Sequence, residues 1–122
     1  MTYETVDMAR IKKIPAAFYQ TAAGREPVRD WLKELDAEDR KAIGGDIATV
    51  EYGWPVGMPT CGPLGQGLWE VRSSLRSNRI ARVIFGIVRN QMVLLHGFIK
   101  KTQKTPAEDL ALARKRLKEI EI

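Results

Sequence analysis

The stretch that decides the fold is residues 79–100, "RIARVIFGIVRNQMVLLHGFIK". Two apolar runs of strand length, 79–88 and 92–100, flank the short polar segment 89–91. That spacing is typical of two antiparallel strands joined by a tight turn. A third run, "LWEVRSS" at 68–74, precedes them across the polar residues "LRSN". We therefore predict three consecutive antiparallel strands.

The segment that follows these strands has the pattern of a helix. In "TPAEDLALARKRLKEIEI", apolar residues recur on one side, at Leu110, Ala113, Leu117 and Ile120. Thr105 is expected as the N-cap, with Pro106 in the first turn and Glu108 completing a capping box. The pattern predicts a C-terminal helix that packs on the sheet.

The half of the chain before the strands indicates one strand and two helices. Residues 12–21, "KKIPAAFYQT", predict a first strand, and Pro15 favours an edge position. Pro27 begins an amphipathic helix with its apolar face at Val28, Trp31, Leu32 and Leu35. Asp36 is the expected N-cap of a second helix with its stripe at Ile43, Ile47, Val50 and Trp54.

The remaining segment, "PTCGPLGQG" at 59–67, is predicted to be a loop because it is rich in Gly and Pro. The element order is then β-α-α-β-β-β-α. This order predicts an α+β fold with an N-terminal helical hairpin, a mostly antiparallel sheet and a C-terminal helix.

Length and composition are those of one globular domain. The chain has 122 residues, 44% of them hydrophobic and 29% charged, which fits a single domain over 1–122. Because it contains one cysteine, Cys61, and one histidine, neither an intramolecular disulfide nor a Cys/His zinc site can form, and no metal or cofactor is expected. No signal-peptide pattern and no membrane-length apolar run is visible, so we expect a cytoplasmic protein without a membrane partner.

The net charge of +5 is concentrated in one part of the chain. No Asp or Glu lies between Glu70 and Glu108, whereas this interval contains Arg72, Arg76, Arg79, Arg82, Arg89, Lys100, Lys101 and Lys104. Such an asymmetry is typical of a site for a polyanion. The alternative is a solvated basic face that has no partner.

Strand alternation sorts these charged residues by face. In the last strand it places Met92, Leu94, His96, Phe98 and Lys100 on one side. We expect helices to cover only the purely apolar sides of the three strands. The opposite face then collects Glu70, Arg72, Arg82, His96, Phe98 and Lys100.

This set of residues suits RNA chemistry. Arginine and lysine bind phosphates, and Phe98 or Phe85 offers a ring on which an unpaired base can stack. Cleavage by the 2′-hydroxyl needs a base, an acid and cations around the phosphorus, and histidine exchanges a proton near neutral pH. The alternatives are a structural His96 with a satisfied hydrogen bond and a Glu70 that only orients its neighbouring arginines. Cys61 lacks a neighbouring acid or base and is not expected to be a nucleophile.

Three strings carry a family resemblance: "GLWEVR", "RIARVIFGIV" and "VLLHGFIKKTQKTPAEDLALARKR". Over about residues 64–117 the chain resembles the C-terminal half of the phage-derived Gp49-like, HigB-type toxins of the RelE/ParE superfamily, and its N-terminal half matches in layout. The resemblance implies a RelE/ParE-like fold and a toxin of a type II toxin–antitoxin system. It further implies a ribosome-dependent, metal-independent endoribonuclease that cleaves mRNA through the 2′-hydroxyl, with a helix-turn-helix antitoxin of the HigA type as partner besides the ribosome and mRNA.

The resemblance, together with the charge and strand patterns, gives individual residues their expected roles. The residues expected to be catalytic are Arg72, Arg82, His96, Lys100 and Lys101. The residues expected to bind RNA are Arg76, Arg79, Phe85, Phe98 and Lys104, although Arg76 and Arg79 lie where relatives vary and match no family motif. Glu70 is expected to orient the arginines. Because ParE-like relatives inhibit DNA gyrase without cleaving RNA, a gyrase inhibitor is the second hypothesis and a plain nucleic-acid-binding module the third.

Overall fold

The computed structural model describes residues 11–100 and 104–121. In these ranges the elements are β1 (Ala16–Phe18), α1 (Pro27–Glu34), α2 (Ala37–Gly53), β2 (Cys61–Gly65), β3 (Leu68–Ser74), β4 (Ile80–Val88), β5 (Gln91–Lys100) and α3 (Ala107–Ile120). The predicted α+β class is confirmed. No helix in the described ranges is both long and apolar enough to cross a bilayer.

The strands form one five-stranded sheet in the order β1-β5-β4-β3-β2. β1 pairs with β5 in parallel, whereas the other three pairs are antiparallel, so the sheet is mixed. The predicted edge position of β1 is confirmed. The turn between β4 and β5 is formed by Arg89 and Asn90, with φ of 51° and 63°, the left-handed conformation that a tight two-residue hairpin needs at both positions.

The prediction of a loop over 59–67 was wrong, because this segment contains strand β2. Its residues pair with β3 in the register Cys61↔Val71 and Pro63↔Trp69. β2 lies at the outer edge of the sheet, where a proline costs no ladder hydrogen bond on the solvent side. The element order is therefore β-α-α-β-β-β-β-α.

Helices cover both faces of the sheet, and each face has its own apolar core. On the first, the α1–α2 face, the buried residues include Val28, Ile43, Ile47, Val50, Val71, Val83 and Phe85. On the second, the α3 face, the buried residues include Leu68, Ile84, Leu95, Phe98, Ala113 and Leu117.

The expected N-cap of α2, Asp36, accepts a hydrogen bond of 2.8 Å from the Asp39 N–H.

A β-bulge in β5 changes which side chains share a face. Ile84 pairs with His96 and Phe85 pairs with Leu94, so Leu95 is the extra residue. The prediction that Met92 and Leu94 lie on the same side as His96 was therefore wrong. The two apolar residues belong to the α1–α2 core, whereas His96 lies on the α3 face.

The capping box predicted for α3 was also wrong. The N-cap position is Pro106, and no side chain caps the helix. The Thr105 hydroxyl instead donates a hydrogen bond of 2.8 Å to Glu70 Oε2 on β3. This contact attaches the start of α3 to the sheet.

Candidate active site

The charged residues of the three central strands lie together on the α3 face. The register pairs Arg72 with Arg82 and Arg82 with Phe98, so these three side chains form a row across β3, β4 and β5. We expected this face to be free of helices. It is instead covered in part by α3, which packs against β4 and β5 and adds polar groups of its own.

The first turn of α3 supplies the carboxylate that joins His96 to Lys100. Asp109 Oδ1 lies 2.6 Å from His96 Nε2, and Asp109 Oδ2 accepts a hydrogen bond of 3.2 Å from Lys100 Nζ. The His96 side chain is 19% exposed and that of Lys100 38%, so a ligand can reach both. We call His96, Lys100 and Asp109 the His96 cluster.

Phe98 supports this cluster from within the α3 core. Its ring stacks on His96 with a centroid distance of 5.6 Å and an interplanar angle of 29°, and Lys100 Nζ lies 5.6 Å from its centroid. Phe98 is only 7% exposed. The ring therefore positions the histidine and the lysine, and the prediction that it offers a surface to an RNA base is corrected accordingly.

A second group of charges is buried beneath the start of α3. Arg82 is fully buried, with its Nε 3.7 Å from Glu70 Oε2, and Arg72 Nε lies 3.9 Å from Glu70 Oε1. Burial lowers the pKa of Arg82, and the neighbouring Glu70 counteracts this effect. A fully buried guanidinium cannot contact a phosphate, so the prediction of Arg82 as a phosphate ligand is corrected to that of a positioning residue.

Arg72 is the arginine of the row that remains accessible. Its side chain is 20% exposed and borders a polar cleft of about 330 Å³. The cleft is also lined by Asp46, Thr60 and Ser74. A ligand in this cleft can therefore contact Arg72, while Arg82 stays in the interior.

The other predicted site residues are placed elsewhere or fall outside the described ranges. Arg79 forms two hydrogen bonds of 2.8 and 3.1 Å with Asp39, which raise the pKa of Arg79, and Arg76 lies 2.7 Å from Glu38. Both arginines thus form ion pairs with α2 instead of joining the site. Lys104 is exposed before α3. Lys101 lies outside the described residues.

Phe85 was also predicted to stack on RNA, and its position excludes this role. It is fully buried on the α1–α2 face, with its ring centroid 5.9 Å from that of Trp54. Strand alternation already assigned Phe85 and Arg82 to opposite faces. The ring belongs to the core and does not reach a nucleic acid.

Sequence reasoning missed Asp109, although a signal for it exists. Asp109 lies four residues before Ala113 and eight before Leu117, both of which are buried. Helical periodicity therefore places a carboxylate on the side of α3 that faces the sheet. A charged residue on a core-facing stripe is unusual enough to predict a specific partner.

In the described ranges, no group of three or more His, Cys, Asp or Glu side chains could hold a metal ion.

Cys61 is expected to react slowly with thiol reagents. It is buried in β2, and burial, with a contribution from Glu70, raises the pKa of its thiol to about 11. Because the thiolate is the reactive form, its population at pH 8 falls about 100-fold relative to an unperturbed cysteine. Labelling by iodoacetamide should therefore be at least that much slower in the native protein than in urea. Equal rates would contradict this description of the thiol.

The family described as phage-derived protein Gp49-like (DUF891) matches residues 30–118, which include every residue of the His96 cluster. The chain belongs to this family. The Gp49-like proteins are a family of RelE/HigB-like toxins, so a toxin-like function is supported for this chain. No protein of curated function matches the sequence.

Proposed function

We propose that this Gp49-like protein is the toxin of a type II toxin–antitoxin system and cleaves mRNA on the ribosome by attack of the 2′-hydroxyl, without a metal ion. The observation that carries the proposal is the His96 cluster, in which Asp109 joins His96 to Lys100, with the accessible Arg72 two strands away in the same sheet. The toxin family and the cationic strands favour an RNA target.

The proposed reaction begins with a proton transfer to His96. The carboxylate of Asp109 contacts Nε2, which favours the tautomer with its proton on that atom and leaves Nδ1 to accept the proton of the 2′-hydroxyl. The 2′-oxygen then attacks the phosphorus, and the bond to the 5′-oxygen breaks. The products are a 2′,3′-cyclic phosphate and a new 5′-hydroxyl end.

Lys100 and Arg72 are proposed to act on the leaving oxygen and on the phosphate. Lys100 carries an ammonium group that can donate a proton to the leaving 5′-oxygen, and its contact with Asp109 holds it near His96. Arg72 neutralises the charge that develops on the phosphate oxygens. Arg82 and Glu70 act indirectly, because their buried ion pair fixes the position of Arg72 on β3.

The partners proposed for this protein follow from the same surface. A cationic face that binds mRNA also suits ribosomal RNA, because contacts to phosphates do not depend on sequence. We propose that a helix-turn-helix antitoxin of the HigA type neutralises the toxin by covering this face. The contacting part of the antitoxin is then expected to be acidic.

Mapping of mRNA 5′ ends after expression without antitoxin tests the proposal. Wild-type protein should produce new ends at fixed positions within codons, and the Arg72→Ala, Lys100→Ala double variant should not. Arg89→Ala is the matched control, because it removes one exposed cation at the opposite end of β4 and should leave cleavage intact. Circular dichroism verifies the fold of each variant.

Two results would contradict the proposal. Growth arrest with intact mRNA and induced DNA damage would indicate inhibition of gyrase. Cleavage that persists at full rate in the folded double variant would place the chemistry on another surface.

A further inference from the structure

A cavity of about 250 Å³ lies between α1, β5 and α3, and His96 forms part of its wall. We propose that this cavity binds one unpaired base of the RNA substrate, from the nucleotide adjacent to the cleaved phosphate. The proposal rests on the RNA-cleaving function proposed above and adds to it a site for substrate recognition. The residues that carry it are Trp31, His96, Leu112 and Arg116.

Trp31 provides an aromatic wall whose position is fixed by the sheet. Its ring lies so close to Gly97 of β5 that a Cβ added at that glycine would be 2.5 Å from the ring. The indole is therefore packed against the backbone of β5, and its side chain remains half-buried. A fixed aromatic surface that borders a cavity suits the stacking of an unpaired base.

Arg116 provides hydrogen-bond donors on the α3 side of the cavity. Its Nη1 donates a hydrogen bond of 2.7 Å to the carbonyl oxygen of Leu95, and its guanidinium lies 5.3 Å from the centroid of the Tyr19 ring. The Tyr19 hydroxyl in turn donates to the carboxylate of Glu119. Because these contacts hold the guanidinium in place, its other N–H groups form a preorganised set of donors for the carbonyl oxygens and ring nitrogens of a base.

The position of His96 connects the cavity to the proposed chemistry. The His96 ring both lines the cavity and contacts Asp109, so the cavity and the His96 cluster share a side chain. The charge of the cavity also favours this ligand. Among the described residues that line it, Arg116 is the charged one and none is acidic. A neutral base attached to a polyanionic backbone therefore fits these walls better than a positively charged ligand, which would need an acidic residue as its partner.

Binding of an RNA that cannot be cleaved tests the proposal independently of catalysis. We would titrate the full chain with a 2′-O-methyl trinucleotide and follow the indole NMR signals of the three tryptophans, together with the imidazole signal of the single histidine. The signals of Trp31 and His96 should shift, whereas those of Trp54 and Trp69, which pack against each other in the core, should stay in place.

A pair of variants on α3 measures the contribution of the cavity. Leu112→Trp fills the cavity and should weaken trinucleotide binding about 10-fold, the loss expected for one stacked base. Ala111→Trp adds the same side chain at an exposed neighbouring position and should bind like the wild type. Thermal melting compares the folded fractions of both variants.

The outcomes separate this proposal from the proposed function. If the RNA shifts the signals of Arg72 and Lys100 but leaves Trp31 unchanged, the cavity binds no base and the proposal is overturned. Equal affinity of Leu112→Trp and the wild type would overturn it too. If Trp31 responds as expected while the mRNA remains uncleaved in cells, base binding holds and only the nuclease proposal fails.

Discussion

Replacement of Arg82 by methionine is expected to lower the free energy of unfolding by about 3 kcal/mol, because it leaves a carboxylate buried without its partner on β4. Glu70 is 7% exposed, and Arg82 is fully buried. Methionine has a similar length, so the loss of packing is small. This loss in the free energy of unfolding is at the lower end of the range for a broken buried ion pair, because Glu70 keeps its contacts with Arg72 and Thr105.

Urea denaturation of four proteins checks this expectation. The Glu70→Gln, Arg82→Met double variant should recover much of the loss, because a neutral amide can still accept the hydrogen bond from Thr105 and no charge remains unpaired. Arg89→Met, at the exposed β4–β5 turn, should change the stability by less than about 0.5 kcal/mol. An Arg82→Met protein as stable as the wild type would show that the pair contributes nothing to the fold.

Replacement of His96 by alanine is expected to reduce the rate of mRNA cleavage on ribosomes about 100-fold or more, the usual contribution of a general base. Asp109→Asn should reduce it as well, because an amide NH2 that faces Nε2 favours the opposite tautomer of the imidazole. Both losses should appear in kcat, and Asp109→Asn should leave KM nearly unchanged, because Asp109 is proposed to bind neither the phosphate nor the base. Single-turnover cleavage with programmed ribosomes measures this difference.

The matched control for Asp109→Asn is Glu108→Gln. Glu108 also lies in the first turn of α3 and within 3.8 Å of Lys100, but its side chain is 83% exposed and it has no contact with His96. It should cleave at close to the wild-type rate. Normal cleavage by a folded His96→Ala protein would assign the proton transfer to lysine or arginine instead.

The fold was predictable wherever local pattern and tertiary environment agree. The alternation in Leu68–Ser74 gives the same strand in sequence and structure, and Asp36 caps α2 as its type suggests. β2 was missed because Gly and Pro normally indicate a loop, whereas an edge strand accepts Pro63. The bulge at Leu95 was invisible because it depends on the pairing with β4, which alternation alone does not encode.

The sequence predicted on which side of the sheet the site residues lie, but not how deeply each side chain is buried. Alternation placed Arg72 and Arg82 on the same side, but it could not reveal that α3 buries one and leaves the other accessible. Sequence rules treat a charged strand residue as exposed. Arg82 can nevertheless be buried, because Glu70 forms an ion pair with it in the interior and Thr105 donates a hydrogen bond to the same carboxylate.

The parallel pairing of β1 with β5 has a consequence for synthesis of the protein. Ala16 pairs with Met92 and Phe18 with Leu94, so the first strand of the described residues can pair only after the last one has been synthesised. A nascent chain can form α1 and α2 while it grows, but it cannot complete this edge of the sheet until β5 has left the ribosome. His96 lies in the same late strand, and Asp109 follows in α3. Translation therefore completes the His96 cluster only after α1, α2 and the first four strands have been synthesised.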